Sequence, residues 1–170
     1  AAEIGGADLL MILTAGFFRS QGCRSIASLM PYINSNQLIF DIATKFILPR
    51  VRHTPVLLGI SAQDPQIDIL KYLHKVKKTG FAGITNFPSV GFIDGQYRKS
   101  LEELGLGLDR ELDMLKKAKK AGLFTAGFCF NPAEAVQMAK SQVDIICFDL
   151  GFAEWKPTDY RQHQNNMERA

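Results

Sequence analysis

Several things are scarce in this 170-residue chain, and each scarcity removes a class of function. There are three cysteines, Cys23, Cys129 and Cys147, with no C-x-x-C pair among them. A disulfide framework and a thiolate zinc site are therefore not expected, and unpaired thiols of this kind suit a reducing, cytoplasmic compartment. No apolar run reaches the ~18 residues that span a bilayer, and no basic, apolar and small-residue leader precedes Ala1, so no membrane partner is expected. No G-x-G-x-x-G follows a strand-like run and no G-x-x-x-x-G-K-[ST] occurs, which removes the dinucleotide and P-loop phosphate turns. Histidine is sparse, and His53, His74 and His163 fall neither at strand ends nor at metal-ligand spacing. A nucleophile elbow is missing too.

Charge is balanced. Twenty Lys and Arg against 17 Asp and Glu leave a formal +3, and the basic residues are spread along helices, so nucleic acid is not an expected partner. What is plentiful is apolar residue: 46% of the chain is hydrophobic and 22% charged, enough for one globular unit with a real core.

Two periods alternate along the chain. Short apolar runs without polar alternation occur at Leu9 to Leu13, Val56 to Ile60, Gly83 to Phe87, Leu123 to Phe128 and Ile145 to Phe148, as in strands covered on both faces. Between them lie helical patterns. Asp64-Pro65 predicts a helix start, with Ile67, Leu70, Leu73 and Val76 on one stripe and Gly80 as the stop. A bulky apolar helix is expected over about Asn36 to Val51. Asp109 to Ala121 should bury Leu112, Leu115 and Ala118, show its lysines to water and end at Gly122. Asn131-Pro132-Ala133-Glu134 is another capped start. Ala1 to Ile4 resembles the tail of a helix, and the lack of an initial Met suggests a truncation. Strand, helix, strand, helix with buried strands implies right-handed βαβ units and a parallel sheet, open or closed. A full (β/α)8 barrel takes about 250 residues.

In such a sheet chemistry gathers at the carboxyl ends of the strands. After the first strand, Thr14 to Ser25 reads as a loop holding Arg19, Arg24 and Ser25, able to grip a phosphate or carboxylate, or else as solvated surface. After the second, Ser61 and Asp64 stand at the mouth, with Asp64 a ligand contact or a helix cap. After the third, Asn86 is expected to aim its amide at the mouth, and a long Gly-containing connection carries Asp94, Arg98, Glu102 and Glu103. Arg98 and Glu102 also have the i,i+4 spacing of a surface pair. After the fifth, Asp149 is either a site carboxylate or a turn residue.

The stretch GITNFPSVGFIDGQYRKSLEELGLG from Gly83 to Gly107 resembles the signature of the phosphoenolpyruvate hydrolase-like TIM-barrel family, also called the TIM-barrel signal transduction family. Gly16, Phe18-Arg19, Gly22 and Ser25 to Pro31 are similar to its second-strand loop. Thr54-Pro55-Val56-Leu57 with Asp64-Pro65, and Phe130-Asn131, Glu134-Ala135 and Asp144 to Gly151, continue the series in order. The resemblance implies an α/β fold with a parallel (β/α) TIM barrel, partial here, in which residues 1–152 supply about strands two to six of eight and 153–170 form a polar C-terminal tail. It further implies a small anionic substrate, phosphorylated or pyruvyl, acted on by a hydrolase or lyase with a carboxylate-held Mg²⁺ that stabilises an enolate. Arg19 would then bind the substrate anion, with Ser25, Ser61, Arg98 and Glu102 as further binding residues. Asn86 would orient the substrate, and Asp64, Asp94 or Asp149 would hold metal or water. Two positions depart from the family pattern: Ser35-Asn36 follows Asn34 where Asp-Ala-Asn is usual, and Asp149 stands where a His is expected. The family's signalling name supports an alternative, a non-catalytic ligand-sensing or protein-binding module. A fragment without activity is the third reading, and a homo-oligomer suits all three.

Overall fold

A computed structural model describes residues 1–150; the expected polar tail and His163 lie outside the described residues. The five expected strands all form: β1 (Leu10–Ile12), β2 (Val56–Gly59), β3 (Gly83–Thr85), β4 (Phe124–Cys129) and β5 (Ile145–Phe148). They pair in parallel in sequence order, β1-β2-β3-β4-β5. This curled sheet with helices between successive strands is a partial (β/α) barrel.

Register assigns the two faces. Met11, Leu57, Gly83 and Phe124 share one rung, and Gly59, Thr85, Ala126 and Ile145 share the next rung on the same face, the inner one. Leu58, Ile84 and Thr125 alternate to the outer face, where Leu58 and Ile84 are fully buried beneath the helices. The inner rung at Gly83 admits no side chain, because a Cβ there would run into the Phe124 backbone. Leu9, Leu57, Ala82, Phe124 and Ile145 line an apolar hollow of about 350 Å³ on this inner face.

The helices are α1 (Thr14–Ser20), α2 (Ser35–Ile42), α3 (Ile69–Thr79), α4 (Gly95–Glu103), α5 (Leu108–Lys120) and α6 (Pro132–Lys140). Helix α5 buries Leu112, Leu115 and Ala118 as its pattern requires. Helix α6 is capped by Asn131, whose side chain accepts from the Glu134 N–H, while the Glu134 carboxylate reaches past the cap to the Phe130 N–H at 2.9 Å.

Four expectations are corrected. The segment after β1 is not a loop; it forms the short helix α1, which gives way to Gly22 at φ +77. Ala1 to Gly6 forms turns, not a helical tail. The apolar helix begun by α2 passes into a π turn at Ala43–Ile47 and a 3-10 turn at Leu48–Arg50, because Pro49 has no N–H to continue the ladder. Helix α3 starts at Ile69, with Asp68 as its cap accepting from the Lys71 N–H, so Asp64 caps nothing and Leu70 is 62% exposed. The carboxylate of Asp64 is engaged elsewhere, as described below.

At the amino end of the sheet, Glu3 ties the first turns to the approach of β2. Its carboxylate accepts from the backbone N–H groups of His53 at 2.7 Å, Thr54 at 2.9 Å and Arg52 at 3.1 Å. Those three donors, His53 foremost, lower its pKa from 4.5 to about 2. A depressed carboxylate adds stability above its unfolded pKa and loses it as pH falls through the folded one. The stability gap between wild type and Glu3→Gln is therefore expected to be flat above about pH 5 and to close between 4.5 and about 2 in urea melts across pH. A gap unchanged at pH 2 would refute the assignment.

Candidate functional site

At the carboxyl ends of β2 and β3 a cavity of about 480 Å³ opens to solvent. The chain from the 3-10 turn Ser25–Leu29 into the first turn of α2 supplies Ser28, Met30, Ile33, Asn34 and Asn36; the segment after β2 supplies Ser61, Gln63, Asp64 and Gln66; the segment after β3 supplies Pro88, Ser89 and Val90. Helix α4 contributes Tyr97 and Leu101, four apart and so on one face, and its extended approach contributes Ile93. Hydroxyls and amides dominate the polar lining. Among the described residues Asp64 is its one carboxylate, and no Lys, Arg or His lines it.

Asp64 is held rigidly. Its Oδ2 accepts from Asn34 Nδ2 and Asn36 Nδ2, both at 2.9 Å, and its Oδ1 accepts from the Gln66 N–H at 2.8 Å. The orientation of both amides is decided by their other ends, since Asn34 Oδ1 accepts from the Gln37 N–H and Asn36 Oδ1 from the Ser61 N–H, each at 2.8 Å. Nitrogen donors thus converge on a carboxylate, the reverse of oxygen lone pairs converging on a cation. Among the described residues no group of three His, Cys, Asp or Glu could hold a metal ion. Of the carboxylates expected to hold Mg²⁺, Asp64 alone borders the cavity among the described residues.

Behind the cavity wall lies Glu111, in the first turn of α5, 0% exposed. It accepts four hydrogen bonds: from Asn86 Nδ2 at 2.6 Å, Ser89 Oγ at 2.8 Å, the Val90 N–H at 2.8 Å and Gln63 Nε2 at 3.0 Å. Burial pushes its pKa up, while the four donors pull it down. Sequence reasoning missed this residue, though a signal existed: Glu111 falls on the apolar stripe Leu108, Leu112, Leu115 and Ala118, where a charge needs partners.

Asn86 is also fully buried, and its amide points away from the mouth, between the sheet and α5. Besides Glu111, its Nδ2 donates to the Phe128 carbonyl at 3.1 Å, and its Oδ1 accepts from the Phe128 N–H at 2.7 Å. Both amide hydrogens are engaged, and the side chain bridges the segments following β3 and within β4. The alternation of the strand explains this, since Thr85 takes the inner face and its successor the outer.

The long connection after β3 resolves into a 3-10 turn at Val90–Phe92 and then α4. Aromatic contacts seat it, with Phe92 against Phe130 at 4.1 Å and Phe87 against Phe128 at 5.8 Å between centroids. Arg98 locks it: Nε donates to Glu102 at 2.6 Å, Nη1 to the Val90 carbonyl at 2.8 Å and Nη2 to Glu134 at 3.1 Å. Glu102 also accepts from the Leu108 N–H at 3.2 Å. Asp94 precedes α4 and is exposed, with no side-chain cap bond. Within α4, Arg98 and Glu102 share one face, turned about 100° from the face of Tyr97 and Leu101 that borders the cavity.

Of the expected site residues, then, the cavity brings together Ser61 and Asp64 and not Arg19, Ser25, Asn86, Asp94, Arg98, Glu102 or Asp149. Arg19 closes α1, exposed, donating to Ser25 Oγ at 3.0 Å. Asp149 follows β5, its N–H donating to the Cys129 carbonyl at 2.8 Å. The Cys129 thiol is pushed up to about 11, by burial first and then by Glu134, which makes it a poor nucleophile. His53 and His74 are exposed.

Comparison with known proteins adds a lineage to this geometry. A sequence model described as phosphoenolpyruvate hydrolase-like matches residues 1–169. The chain is 39% identical over 149 residues to the tomato (Solanum lycopersicum) "ToMV resistance protein Tm-1(GCR237)", covering 88% of this chain and 20% of that protein. The tomato "ToMV susceptible protein tm-1(GCR26)" matches equally. The Sinorhizobium fredii "Putative transcriptional regulatory protein y4pA" is 43% identical over 152 residues, covering 89% of this chain and 25% of that protein. The chain thus spans a fifth to a quarter of the length of these relatives.

Proposed function

Because the chain belongs to the phosphoenolpyruvate hydrolase-like family, we propose that it forms part of a barrel whose carboxyl rim binds a small polar molecule, acting as a ligand-binding module and not as a complete catalytic unit. One observation carries this reading: among the described residues the 480 Å³ cavity is furnished with hydroxyls, amides and a single fixed carboxylate. Its volume lies within the range of small-molecule sites, roughly 300–1,000 Å³. Its polar groups orient a ligand, and Asp64 Oδ1 retains capacity for one more donor beside the Gln66 N–H.

Hydrolysis or lysis of a phosphorylated or pyruvyl acid is the second reading, favoured by the family's name. It requires a cation at the substrate anion. Neither Arg19 nor Arg98 borders the cavity, and Arg98 already serves two carboxylates and a carbonyl. Among the described residues β1 and β5 each pair on one side alone, and Ile145 and Ile146 are about two-fifths exposed. Those edges suit a second copy of the chain, in keeping with a homo-oligomer, or further strands of a longer one. All three cysteines are free thiols, and no helix among the described residues is long and apolar enough to cross a membrane. A cytoplasmic location accords with the thiols.

The test is a thermal-shift screen of pyruvate, phosphoenolpyruvate, neutral polyols and small amino compounds, each with and without Mg²⁺. Polyols or amines are expected to raise Tm, with the shift abolished by Asp64→Asn and indifferent to Mg²⁺. A shift confined to phosphoenolpyruvate or pyruvate and dependent on Mg²⁺ would replace this reading with the enzymatic one.

A further inference from the structure

The cavity wall is assembled from segments that are far apart in sequence, after β2 and after β3, which leave the sheet side by side with the Ile60 N–H donating to the Thr85 carbonyl at 2.9 Å. Beyond that rung they meet on one group. Gln63, Ser89 and Val90 all line the cavity, and all three donate to the carboxylate of Glu111, which itself does not border it. Its fourth donor, Asn86, is pinned to the Phe128 backbone by two bonds, so the carboxylate is referenced to β4 and thereby to the sheet. Gln63 and Ser89 add local links, Gln63 accepting from Ser61 Oγ at 3.5 Å and Ser89 Oγ accepting from the Gly91 N–H at 3.0 Å.

We propose that Glu111 is the positioning residue of the rim: one buried carboxylate, anchored to the sheet through Asn86, sets where Gln63, Ser89 and Val90 stand in the cavity wall. The inference rests on reading that cavity as the ligand site, but the arrangement it describes is a property of the unliganded chain. A carboxylate is the right group for the task because it accepts at both oxygens from four donors at once. An amide does not. In Glu111→Gln the Nε2 would face either the Gln63 and Val90 donors or the Asn86 donor, and Asn86 is not free to turn its oxygen inward while its Oδ1 takes the Phe128 N–H. Volume is kept and the wall is released.

Hydrogen–deuterium exchange of the 170-residue chain, without ligand, tests this. Wild type is compared with Glu111→Gln and with Leu115→Ala, a fully buried residue one turn along the same helix that touches none of these bonds. In Glu111→Gln the amides of residues 61–66 and 88–92 are expected to exchange about tenfold faster while β2, β4 and the rest of α5 keep their protection. Leu115→Ala is expected to raise exchange across the core, without preference for those two segments. Unchanged exchange at 61–66 and 88–92, or a rise spread over the whole chain as in Leu115→Ala, overturns the proposal. Should Glu111→Gln fail to fold, Gln63→Met and Ser89→Ala each remove one rim donor and leave the carboxylate in place. Each is then expected to loosen its own segment alone, and no local effect from either counts against the proposal. Because no ligand enters this experiment, a negative ligand screen with a positive exchange result discards the binding site and keeps the positioning role, and the converse separates them the other way.

Discussion

Asn86→Asp is expected to cost about 3–5 kcal/mol of stability at pH 7, read as a fall in the urea midpoint. The substitution is nearly isosteric, so packing is unchanged and the effect is electrostatic. An oxygen would replace the Nδ2 that now lies 2.6 Å from Glu111 and 3.1 Å from the Phe128 carbonyl. Two carboxylates would then share a site from which water is excluded, and one of them must keep a proton. Glu111 already has its pKa raised by burial, and the new neighbour raises it further. A carboxylate raised in the folded state gives its full stability below the unfolded pKa of about 4 and loses it as pH rises through the folded value. The deficit of the variant should therefore shrink as pH is lowered toward 4. Equal stability of wild type and variant at pH 7 would mean that Asn86 does not bridge Glu111 and β4.

Arg98→Ala is expected to cost about 2–4 kcal/mol, also by urea denaturation. Glu134 is only 5% exposed, and without Arg98 its carboxylate keeps the Phe130 N–H and loses its charged partner. The Val90 carbonyl loses a donor at the same time. Arg98→Lys should restore less than half of the loss, since one ammonium on a flexible stem does not reproduce three donors directed at Glu102, Val90 and Glu134. If Arg98→Ala instead left stability untouched and abolished the response to an anionic ligand, the arginine would be a ligand contact and not a structural lock.

Helix α4 illustrates how far a pattern reaches. The i,i+4 spacing of Arg98 and Glu102 is visible in the sequence, and that pair forms. Which neighbour completes it is not visible, because Glu134 lies 36 positions away and is brought close only by the stacking of successive βα units. Asp64-Pro65 looks like a helix start for good local reasons, yet Asp68 competes for the same role and the side chains of Asn34 and Asn36 draw Asp64 into the cavity wall. Asn86 was legible as an important residue after a strand, but its direction depends on whether Thr85 faces in or out.

The order of strands and helices, the parallel sheet, the family and the buried stripes of α5 follow from local periodicity and turn chemistry, which act over a few residues and leave their mark in the amino acids. The rim is different. Glu111 looks like one more acidic residue on a charged helix until the chain brings Gln63, Asn86, Ser89 and Val90 around it, and its burial is tolerable only because those four donors arrive together. Convergence over 21 to 48 positions is a property of the packed chain, and no local pattern encodes it.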